Sequence, residues 1–464
     1  MLKVFNKYYT IRNLIFFVGE SALIFFGIWC AMSLTEHWFL PEQEMYRFNI
    51  WIRILFITIV LQLCLYYNDL YDFTTRSSIF ELSMRIVHAI GIACIILAAV
   101  YYLFPKFILR QGIFFIGLFF LLFFLVSWRY LYQYLCKHDI FKDRILLVGD
   151  GPLARMISQE VKALDSGYAI AGVFSNPTSS GLAQDLGVKH FSDYANLCSY
   201  AASANAGSIV MALQERRGRS PIQELLDCKL QGIKVIEGVS FYELLSGKVL
   251  ASEAPPSWLI FSEGFRRHKV TLVGKRVLDI FFAGLGLILS APLMGGAALS
   301  IWATSKGPVI FRQDRTGQRE KVYQVLKFRT MREDAEQVNG AVWAEQNDPR
   351  ITRVGRVLRK FRLDELPQFW NVLKGEMSFV GPRPERPEFV QQLKEKLPYY
   401  SERHTVKPGI TGWAQVNYPY GASDEDALRK LEYDLFYIKN LSLLFDLYII
   451  LKTVKTVLVG EGAR

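Results

Sequence analysis

The chain has 464 residues, of which 51% are hydrophobic and 21% are charged, a composition that excludes an intrinsically disordered or fibrous protein. At about 150 residues per domain the length allows roughly three domains, and the mean hydropathy of +0.18 is high for a purely soluble chain. The formal net charge of +11 indicates anionic partners, which are nucleic acid, an acidic membrane surface or phosphorylated substrates.

Four long apolar runs fill the first third of the chain, at about 14–34, 50–67, 86–104 and 113–135. Each approaches the roughly 20 residues that cross a bilayer as a helix. The first run is too long and too aromatic for a cleaved signal peptide. We therefore predict a four-helix transmembrane region over 1–142. We expect it to serve mainly as an anchor, because few ionisable residues lie inside the runs.

Basic residues flank these runs unevenly, and the positive-inside rule converts this asymmetry into an orientation. Lys3, Lys7 and Arg12 precede the first run, whereas the first loop carries three glutamates and a single arginine. Lys106 and Arg110 in the third loop oppose this orientation. The balance predicts that the N-terminus and everything after residue 143 lie on the cytoplasmic side.

The six cysteines form no Cys-x-x-Cys pair, and the six histidines show no metal-ligand spacing. Most of the cysteines lie in or beside apolar runs. We therefore expect reduced cysteines that pack as small core residues, with neither a disulfide framework nor a zinc site.

From residue 143 short apolar strands alternate with helical segments, which predicts a parallel, doubly wound α/β sheet over 143–255. The strands are predicted at 144–148, 169–174, 208–213 and 233–237.

The sequence Gly149-Asp-Gly-Pro-Leu-Ala154 follows the first strand and matches the GxGxxA dinucleotide fingerprint. The second strand, however, ends without the acidic residue that would hold a ribose hydroxyl. The turn is therefore either a nucleotide site or, as we favour, part of a degenerate Rossmann-like module used for packing or regulation.

Another uncharged run, 280–303, is long enough to cross the bilayer but contains Pro292. Proline removes a helical hydrogen bond and clashes with the preceding turn, so the helix should break there, with Ser290 placed to satisfy a freed backbone group. A complete span would also put the highly charged segment 305–464 on the opposite side from the middle module. Basic residues on both sides of the run favour a re-entrant helix at about 275–303.

Asp364 and Glu365 stand just before Pro367, which lacks a backbone N–H and therefore favours the first turn of a helix. This predicts Asp364 at or near the N-cap and Glu365 just inside the helix, and one interpretation is an ordinary capping pair. The other follows from the nearby basic residues, Arg359 among them, which keep a carboxylate ionised and gather phosphate. Asp364 would then attack a phosphoryl group, and Glu365 would hold Mg²⁺.

Lys327, Arg329 and Arg383 are further candidates for phosphate binding, although each alone is equally compatible with a solvated surface charge. The prolines on both sides of Arg383 fix its backbone, which favours an aimed side chain. Trp413 and Gln415 either contact a nucleotide or, as we favour, support a loop. The last apolar run, 441–458, predicts an interfacial amphipathic helix or, equally, a helix of the core.

Several of these segments together resemble the bacterial sugar transferase family, the monotopic phosphoglycosyl transferases. The resemblance covers about 269–458 and is carried by Lys327-Phe-Arg-Thr-Met331, Leu363-Asp-Glu-Leu-Pro-Gln368, Val380-Gly-Pro-Arg-Pro384 and Pro408-Gly-Ile-Thr-Gly-Trp413. The whole layout is similar to the large membrane members, with four helices, a Rossmann-like module and a mainly helical catalytic domain, here 256–464, that includes a re-entrant helix.

The resemblance implies transfer of a sugar 1-phosphate from a UDP-sugar to undecaprenyl phosphate with Mg²⁺, the first membrane step of exopolysaccharide synthesis. It places the chain in the bacterial inner membrane with its catalytic domain on the cytoplasmic face. The implied partners are these substrates, the bilayer, further copies of the chain and other polysaccharide-assembly proteins, without nucleic acid.

Carried over by residue, the resemblance makes Asp364 the nucleophile and Glu365 the metal ligand, and it gives Lys327, Arg329 and Arg383 phosphate contacts. Pro292 would break the re-entrant helix. The stretch 417–423 departs from the Asn-Gly-Arg of many relatives, so the sugar remains open between glucose, galactose and an N-acetylhexosamine.

Two other functions remain open at this stage. One is a membrane-anchored nucleotide-sugar oxidoreductase that uses the turn at 149–154, but no Tyr-x-x-x-Lys-like pair lies beside the module. The other is a catalytically silent scaffold of polysaccharide assembly. The intact Asp364, Glu365 and Arg383 argue against it.

Overall fold

The computed structural model describes residues 2–4, 7–9, 11–36, 47–71, 79–105, 113–137, 142–163, 166–175, 181–213, 221–262, 264–265, 268–332, 350–418, 421 and 423–459. Lys106, Arg110 and part of the stretch 417–423 lie outside these residues. Apart from the extreme N-terminus, the chain divides into two compact units, 8–237 and 238–464. The division into three domains stays a prediction.

Long apolar helices build the N-terminal part of the first unit. Two short strands, β1 (Leu2–Val4) and β2 (Lys7–Tyr9), precede the helices α1 (Ile11–Glu36), α2 (Arg47–Tyr67), α3 (Ile79–Leu103) and α4 (Ile113–Lys137). Ile54, Leu65 and Ile86 are buried in their common core, while Ile95 and Phe115 lie exposed on the outer surface. Apolar side chains both inside and outside are what a helix surrounded by lipid requires.

An ion pair of 2.6 Å between Arg129 on α4 and Glu20 on α1 is buried within these helices. A second Arg129 nitrogen donates a hydrogen bond of 2.6 Å to the carbonyl of Leu70. The pair connects α1 to α4 and places two opposite charges together, which lowers the cost of each within an apolar environment.

A parallel sheet completes the first unit, with five strands among the described residues. The strands are β3 (Asp143–Val148), β4 (Tyr168–Phe174), β5 (Lys189–Phe191), β6 (Ser208–Met211) and β7 (Lys234–Glu237), in the order β5-β4-β3-β6-β7. The helices beside them are α5 (Pro152–Ala163), α6 (Gly181–Leu186), α7 (Leu197–Ser203) and α8 (Ile222–Leu230). The parallel strands predicted from the sequence are confirmed. The short β5 was missed because its three residues carry too little apolar pattern.

The expectation that all cysteines are reduced is wrong for one pair. Cys198 on α7 and Cys228 on α8 form a disulfide, with their α-carbons 5.2 Å apart. The two residues are separated by 30 positions in the sequence and meet because α7 and α8 pack side by side. Among the other described cysteines, Cys30, Cys64 and Cys94 are free thiols.

The second unit is mainly helical. Its helices are α9 (Gly238–Ser246), α10 (Pro256–Phe261), α11 (Lys269–Thr304), α12 (Arg353–Lys360), α13 (Gln368–Lys374), α14 (Pro387–Lys396), α15 (Trp413–Asn417), α16 (Asp424–Lys439) and α17 (Leu443–Val459). Strands β8 (Ile310–Thr316) and β9 (Val322–Phe328) form an antiparallel hairpin, and β10 (Ser378–Val380) pairs in parallel with β11 (Gly409–Thr411).

Helix α11 continues through Pro292 as one helix of 36 residues, whereas the sequence predicts a break there. A proline removes only one backbone donor, and the neighbouring turns keep theirs. The hydroxyl of Ser290 donates a hydrogen bond of 2.6 Å to the carbonyl of Gly286, one turn earlier. Ser290 is therefore bonded to the helix backbone, although not to Ile288, whose carbonyl would normally accept from residue 292.

The parts of α11 before and after Pro292 both pack against the rest of the second unit. Ala283 is buried with Val325 and Val372, and eighteen residues later Ile301 is buried with Phe328 and Leu358. The opposite face of α11 carries large exposed apolar side chains, which include those of Ile288, Leu293 and Trp302. Among the described residues, α11 is one of five helices long and apolar enough to cross a membrane, the others being α1 to α4.

The first glycine of the GxGxxA element lies against the neighbouring strand of the sheet. Gly149 has a φ of +120°, and a Cβ added to it would lie 2.6 Å from the carbonyl oxygen of Ala212, just after β6. Glycine is needed at this position by both the backbone conformation and the close approach.

We therefore expect Gly149→Ala to destabilise the sheet by on the order of 1–3 kcal/mol, the usual cost of forcing a side chain into such a conformation. Thermal unfolding of the purified protein in detergent, followed by circular dichroism, would measure the effect. Gly207→Ala is the matched control, because a Cβ at Gly207 meets open space. Equal unfolding midpoints for the two variants would contradict this assignment.

Candidate active site

The acidic pair predicted from the sequence lies in a short 3₁₀ turn, Leu363–Glu365, between α12 and α13. Arg362 precedes this turn with a φ of +56°, a left-handed conformation that directs the chain out of α12. Asp364 is 8% exposed, so its carboxylate lies almost entirely within the unit. The turn therefore brings two adjacent carboxylates into a largely water-free site.

The prediction that Asp364 caps the helix after Pro367 is wrong. Helix α13 starts only at Gln368, and the residue in the capping position is Pro367 itself. The backbone between Leu363 and Phe369 is tied by successive i to i+3 hydrogen bonds, which form the 3₁₀ turn before the α-helix begins. Asp364 is thus not used as a cap for α13.

Three cations converge on Glu365. Arg383 donates a hydrogen bond of 2.8 Å to Glu365 Oε1, and Lys327 donates one of 3.2 Å to the same oxygen. Arg362 Nη1 lies 3.7 Å from Glu365 Oε2, which is longer than a hydrogen bond. Burial alone would raise the pKa of Glu365, but the charges of Arg383, Lys327 and Arg362 outweigh it and lower the pKa well below its usual range. Glu365 therefore stays ionised.

Asp364 has different surroundings. Its burial and the adjacent charge of Glu365 raise the pKa of Asp364, while Lys327, Arg359 and Arg383 oppose this shift. Among the described residues, none donates a hydrogen bond to its carboxylate. The dyad thus consists of one tightly held carboxylate and one whose oxygens are not engaged by the part of the chain described.

The predicted basic residues do not all reach the dyad. Lys327 and Arg383 contact Glu365 directly, and Arg359, which donates a hydrogen bond of 2.9 Å to Thr330 Oγ1, is close enough to influence Asp364. Arg329 is buried and donates instead to the carbonyl and hydroxyl oxygens of Ser305, at 3.0 and 2.8 Å. Its contacts therefore join β9 to the C-terminal end of α11.

Asn371 on α13 fixes the strand that carries Lys327, and the sequence analysis missed it. Its Nδ2 donates a hydrogen bond of 2.7 Å to the carbonyl of Gln324, and its Oδ1 accepts one of 3.0 Å from the backbone N–H of Leu326. The amide acts as a substitute strand partner for β9, immediately before Lys327. An asparagine inside a predicted helix with aromatic and aliphatic neighbours is the signal that could have identified it.

The loop-supporting interpretation of Trp413 is confirmed. The indole is buried and donates a hydrogen bond of 2.8 Å to the carbonyl of Gly247, and Gln415 donates one of 3.0 Å to the carbonyl of Ile410. The structure bears out the core alternative for part of α17, while an interfacial position of this helix stays a prediction. Phe445 is buried in the core, while the side chain of Leu444 lies exposed on the outer face.

The dyad fits a magnesium ion only if a substrate contributes ligands. Among the described residues, no group of three His, Cys, Asp or Glu side chains could hold a metal. Two carboxylates together with water and substrate phosphates, however, are a donor set that Mg²⁺ favours. Glu365 Oε2 makes no hydrogen bond with Arg362 at 3.7 Å and can serve as a ligand.

Residues 270–460 match the family model described as bacterial sugar transferase. A UDP-N-acetylgalactosamine-undecaprenyl-phosphate N-acetylgalactosaminephosphotransferase from Aeromonas hydrophila is 50% identical over 190 residues, which are 41% of this chain and 45% of that protein. A UDP-glucose:undecaprenyl-phosphate glucose-1-phosphate transferase from Escherichia coli (strain K12) is 34% identical over 339 residues, 71% of each chain. A transferase of the same name from Klebsiella pneumoniae is 35% identical over 302 residues, 64% of this chain and 63% of that protein.

The bonds of Asn371 generate a stability prediction. Asn371→Leu keeps the approximate size but leaves the carbonyl of Gln324 and the N–H of Leu326 on β9 without this partner. Both bonds are partly buried, so we expect a cost of roughly 1 kcal/mol for each group, at the low end for an unsatisfied polar group. We expect a clearly lower midpoint of thermal unfolding in detergent. Asn196→Ala, which removes an exposed amide in the first unit, should leave the midpoint nearly unchanged. A midpoint for Asn371→Leu equal to that of the wild type would show that β9 does not depend on this amide.

Proposed function

Because this chain belongs to the bacterial sugar transferase family, we propose that it transfers a sugar 1-phosphate from a UDP-sugar to undecaprenyl phosphate. The products are undecaprenyl-diphosphate sugar and UMP, and the reaction is the first membrane step of exopolysaccharide synthesis. The observation that carries the proposal is the buried dyad, in which Lys327 and Arg383 hold Glu365 while no described residue donates a hydrogen bond to Asp364. Such a carboxylate is suited to nucleophilic attack.

The reaction divides into two displacements at one phosphorus atom. A carboxylate oxygen of Asp364 attacks the β-phosphorus of the UDP-sugar, and the bond from that phosphorus to the oxygen bridging the two phosphates breaks. UMP leaves with the electron pair, and the phosphosugar remains on Asp364. A phosphate oxygen of undecaprenyl phosphate then attacks the same phosphorus and releases the Asp364 carboxylate. Two successive displacements imply ping-pong kinetics.

The cations around the dyad stabilise the charge that develops in both steps. Lys327, Arg359 and Arg383 lie beside the two carboxylates, in a site where burial strengthens each electrostatic interaction. Glu365, with Asp364 beside it, would hold Mg²⁺. When bound, Mg²⁺ neutralises charge on the diphosphate and on the departing UMP. Arg329, which bonds to Ser305, is assigned to fixing the end of α11.

We place the chain in the bacterial inner membrane, with four N-terminal spans and the catalytic unit on the cytoplasmic face. We propose that α11 is re-entrant and bends at Pro292 while its backbone stays helical, as prolines allow. Contacts to the same unit from Ala283 and from Ile301 support re-entry, because a complete span would carry one of these two positions away from that unit. The exposed apolar face of α11 then lies against lipid.

We assign the parallel sheet to a Rossmann-like module that serves as a scaffold. When its five strands are numbered 1 to 5 in chain order, their order across the sheet is 3-2-1-4-5, as in dinucleotide-binding folds. Gly149, however, is required by its approach to Ala212, and β4 is followed by Ser175, which is hydrogen-bonded to His190 at 2.9 Å. The strand order alone therefore does not support an oxidoreductase function.

The dyad can be tested by substitution. Asp364→Asn removes the nucleophilic charge with little change of shape, and loss of a covalent nucleophile costs on the order of 10³-fold or more in rate. Glu365→Gln should also be severe, but its rate should recover in part as Mg²⁺ is raised. The assay measures radiolabel from UDP-glucose, UDP-galactose, UDP-N-acetylglucosamine and UDP-N-acetylgalactosamine that enters the lipid phase with undecaprenyl phosphate.

Asp314→Asn is the control for these substitutions, because Asp314 lies exposed on β8 of the same unit. We expect this variant to transfer sugar phosphate at the wild-type rate. Near wild-type turnover by Asp364→Asn would refute the proposed mechanism. The sugar that labels the lipid identifies the donor.

The re-entrant topology makes a separate prediction. Single cysteines introduced by Lys162→Cys and Lys306→Cys into a cysteine-free variant should both resist a membrane-impermeant thiol reagent in intact cells. Both positions are exposed in the structure, so each should react once the membrane is permeabilised. Labelling of the cysteine at 306 alone in intact cells would mean that α11 crosses the membrane.

A further inference from the structure

The Pro-Arg-Pro segment that carries Arg383 is fixed by its carbonyl groups. Prolines at 382 and 384 have no N–H, so these residues can be held to the fold only as hydrogen-bond acceptors. The carbonyl of Pro382 accepts a bond of 2.9 Å from the backbone N–H of Gly409, and that of Pro384 accepts one of 3.1 Å from Arg315. The central carbonyl, that of Arg383, accepts a bond of 2.9 Å from Arg403 Nη2.

Arg403 is itself held rigidly. Its Nη2 donates a second bond of 2.9 Å to Asp434 on α16, and its Nη1 donates one of 2.5 Å to the hydroxyl of Tyr400. Arg403, Asp434 and Tyr400 are 6%, 1% and 2% exposed, so the whole cluster is excluded from water. A continuous chain of bonds therefore runs from Asp434 through Arg403 to the backbone of Arg383, whose guanidinium contacts Glu365.

Stability is a weak explanation for such a cluster. Removing two charges from water costs several kcal/mol, and apolar residues of similar volume often replace a buried ion pair without loss of stability. What apolar residues cannot do is donate a hydrogen bond to the Arg383 carbonyl. The planar guanidinium of Arg403 holds its three acceptors in a fixed fork, whereas an ammonium group is a compact charge on a flexible stem.

We propose that Arg403, fixed by Asp434 and Tyr400, is a positioning residue that directs the Arg383 guanidinium toward Glu365 and the substrate diphosphate. This inference rests on the proposed function, and it assigns a role in turnover to a side chain that does not touch the dyad. Because the flanking prolines restrict the backbone on both sides of Arg383, fixing its carbonyl also fixes the direction in which its side chain leaves the backbone.

The test is a double-mutant cycle with Arg383. Arg403→Met combined with Asp434→Leu replaces the ion pair by apolar residues, and we expect kcat for sugar-phosphate transfer to fall on the order of 10–100-fold, the usual effect of losing a supporting partner. In an Arg383→Ala background, in which we expect slower but still measurable transfer, the same pair of substitutions should change kcat by less than about 3-fold, because no guanidinium is left to position.

Two further variants make the cycle decisive. Arg403→Lys keeps a positive charge opposite Asp434, so it should fold even if the apolar pair does not. It loses the planar guanidinium, so its kcat should fall when Arg383 is present and change little in the Arg383→Ala background. Glu243→Leu with Lys439→Met is the matched control, because it replaces another buried ion pair of the same unit, 2.6 Å long. We expect this control to transfer at the wild-type rate.

If the substitutions at 403 and 434 lowered kcat by the same factor with and without the Arg383 guanidinium, Arg403 would only stabilise the fold. If kcat did not fall in either background, Arg403 would have no role in turnover. Either result overturns the inference but not the proposed function, because the effect of Arg383→Ala alone still tests the role of Arg383 at the dyad. A wild-type chain that transfers no labelled sugar phosphate would contradict the proposed function itself, and this inference with it.

Discussion

The convergence of three cations on the nearly buried carboxylate of Glu365 is the interaction on which the candidate site depends. Lys327 comes from a β-hairpin, Arg362 from the end of a helix and Arg383 from a segment between two prolines. These three segments are distant from one another in the sequence, and they meet at Glu365. With Arg359 nearby, four cations face two carboxylates, and two positive charges remain for a diphosphate to neutralise. The excess of positive charge suits a UDP-sugar better than a neutral substrate.

Much of the second unit maintains this convergence. Asn371 ties the strand of Lys327 to the helix that follows the dyad, and Arg403 fixes the backbone of Arg383. Lys275 on α11 donates a hydrogen bond of 2.8 Å to the carbonyl of Val380, and it pairs with Asp446 on α17 at the same distance. The helix proposed to enter the membrane is thereby attached to the strand that leads into the Pro-Arg-Pro segment. Membrane attachment and catalysis thus share one framework.

The sequence could predict those features that lie within a short stretch of chain. The long apolar helices, the parallel strands and the motifs that contain Asp364, Glu365, Lys327 and Arg383 all have local patterns. The partners of these residues do not, because Asn371 contacts Gln324 and Arg403 contacts Asp434 across 47 and 31 positions. The same reason explains the unexpected disulfide, whose cysteines meet only when two helices pack together.

Two local expectations failed because each was based on the preference of a single proline. Pro367 favours a first helical turn, but successive 3₁₀ bonds place the start of α13 after it. Pro292 disfavours a helix, yet α11 continues through it with packed contacts on both sides. At Pro367 local backbone bonds decide where the helix starts, and at Pro292 packing on both sides of the proline outweighs its cost to the helix.

The central claim is that Asp364 carries the sugar phosphate between the two substrates. The most direct measurement is mass spectrometry of peptides from the wild-type protein incubated with UDP-sugar and Mg²⁺ but no undecaprenyl phosphate, then quenched with acid. Our account predicts the added mass of one phosphosugar on the peptide containing Asp364. That mass should disappear when undecaprenyl phosphate is supplied before the quench. A protein that transfers sugar phosphate to the lipid yet never carries this mass, or carries it on another residue, would contradict the account.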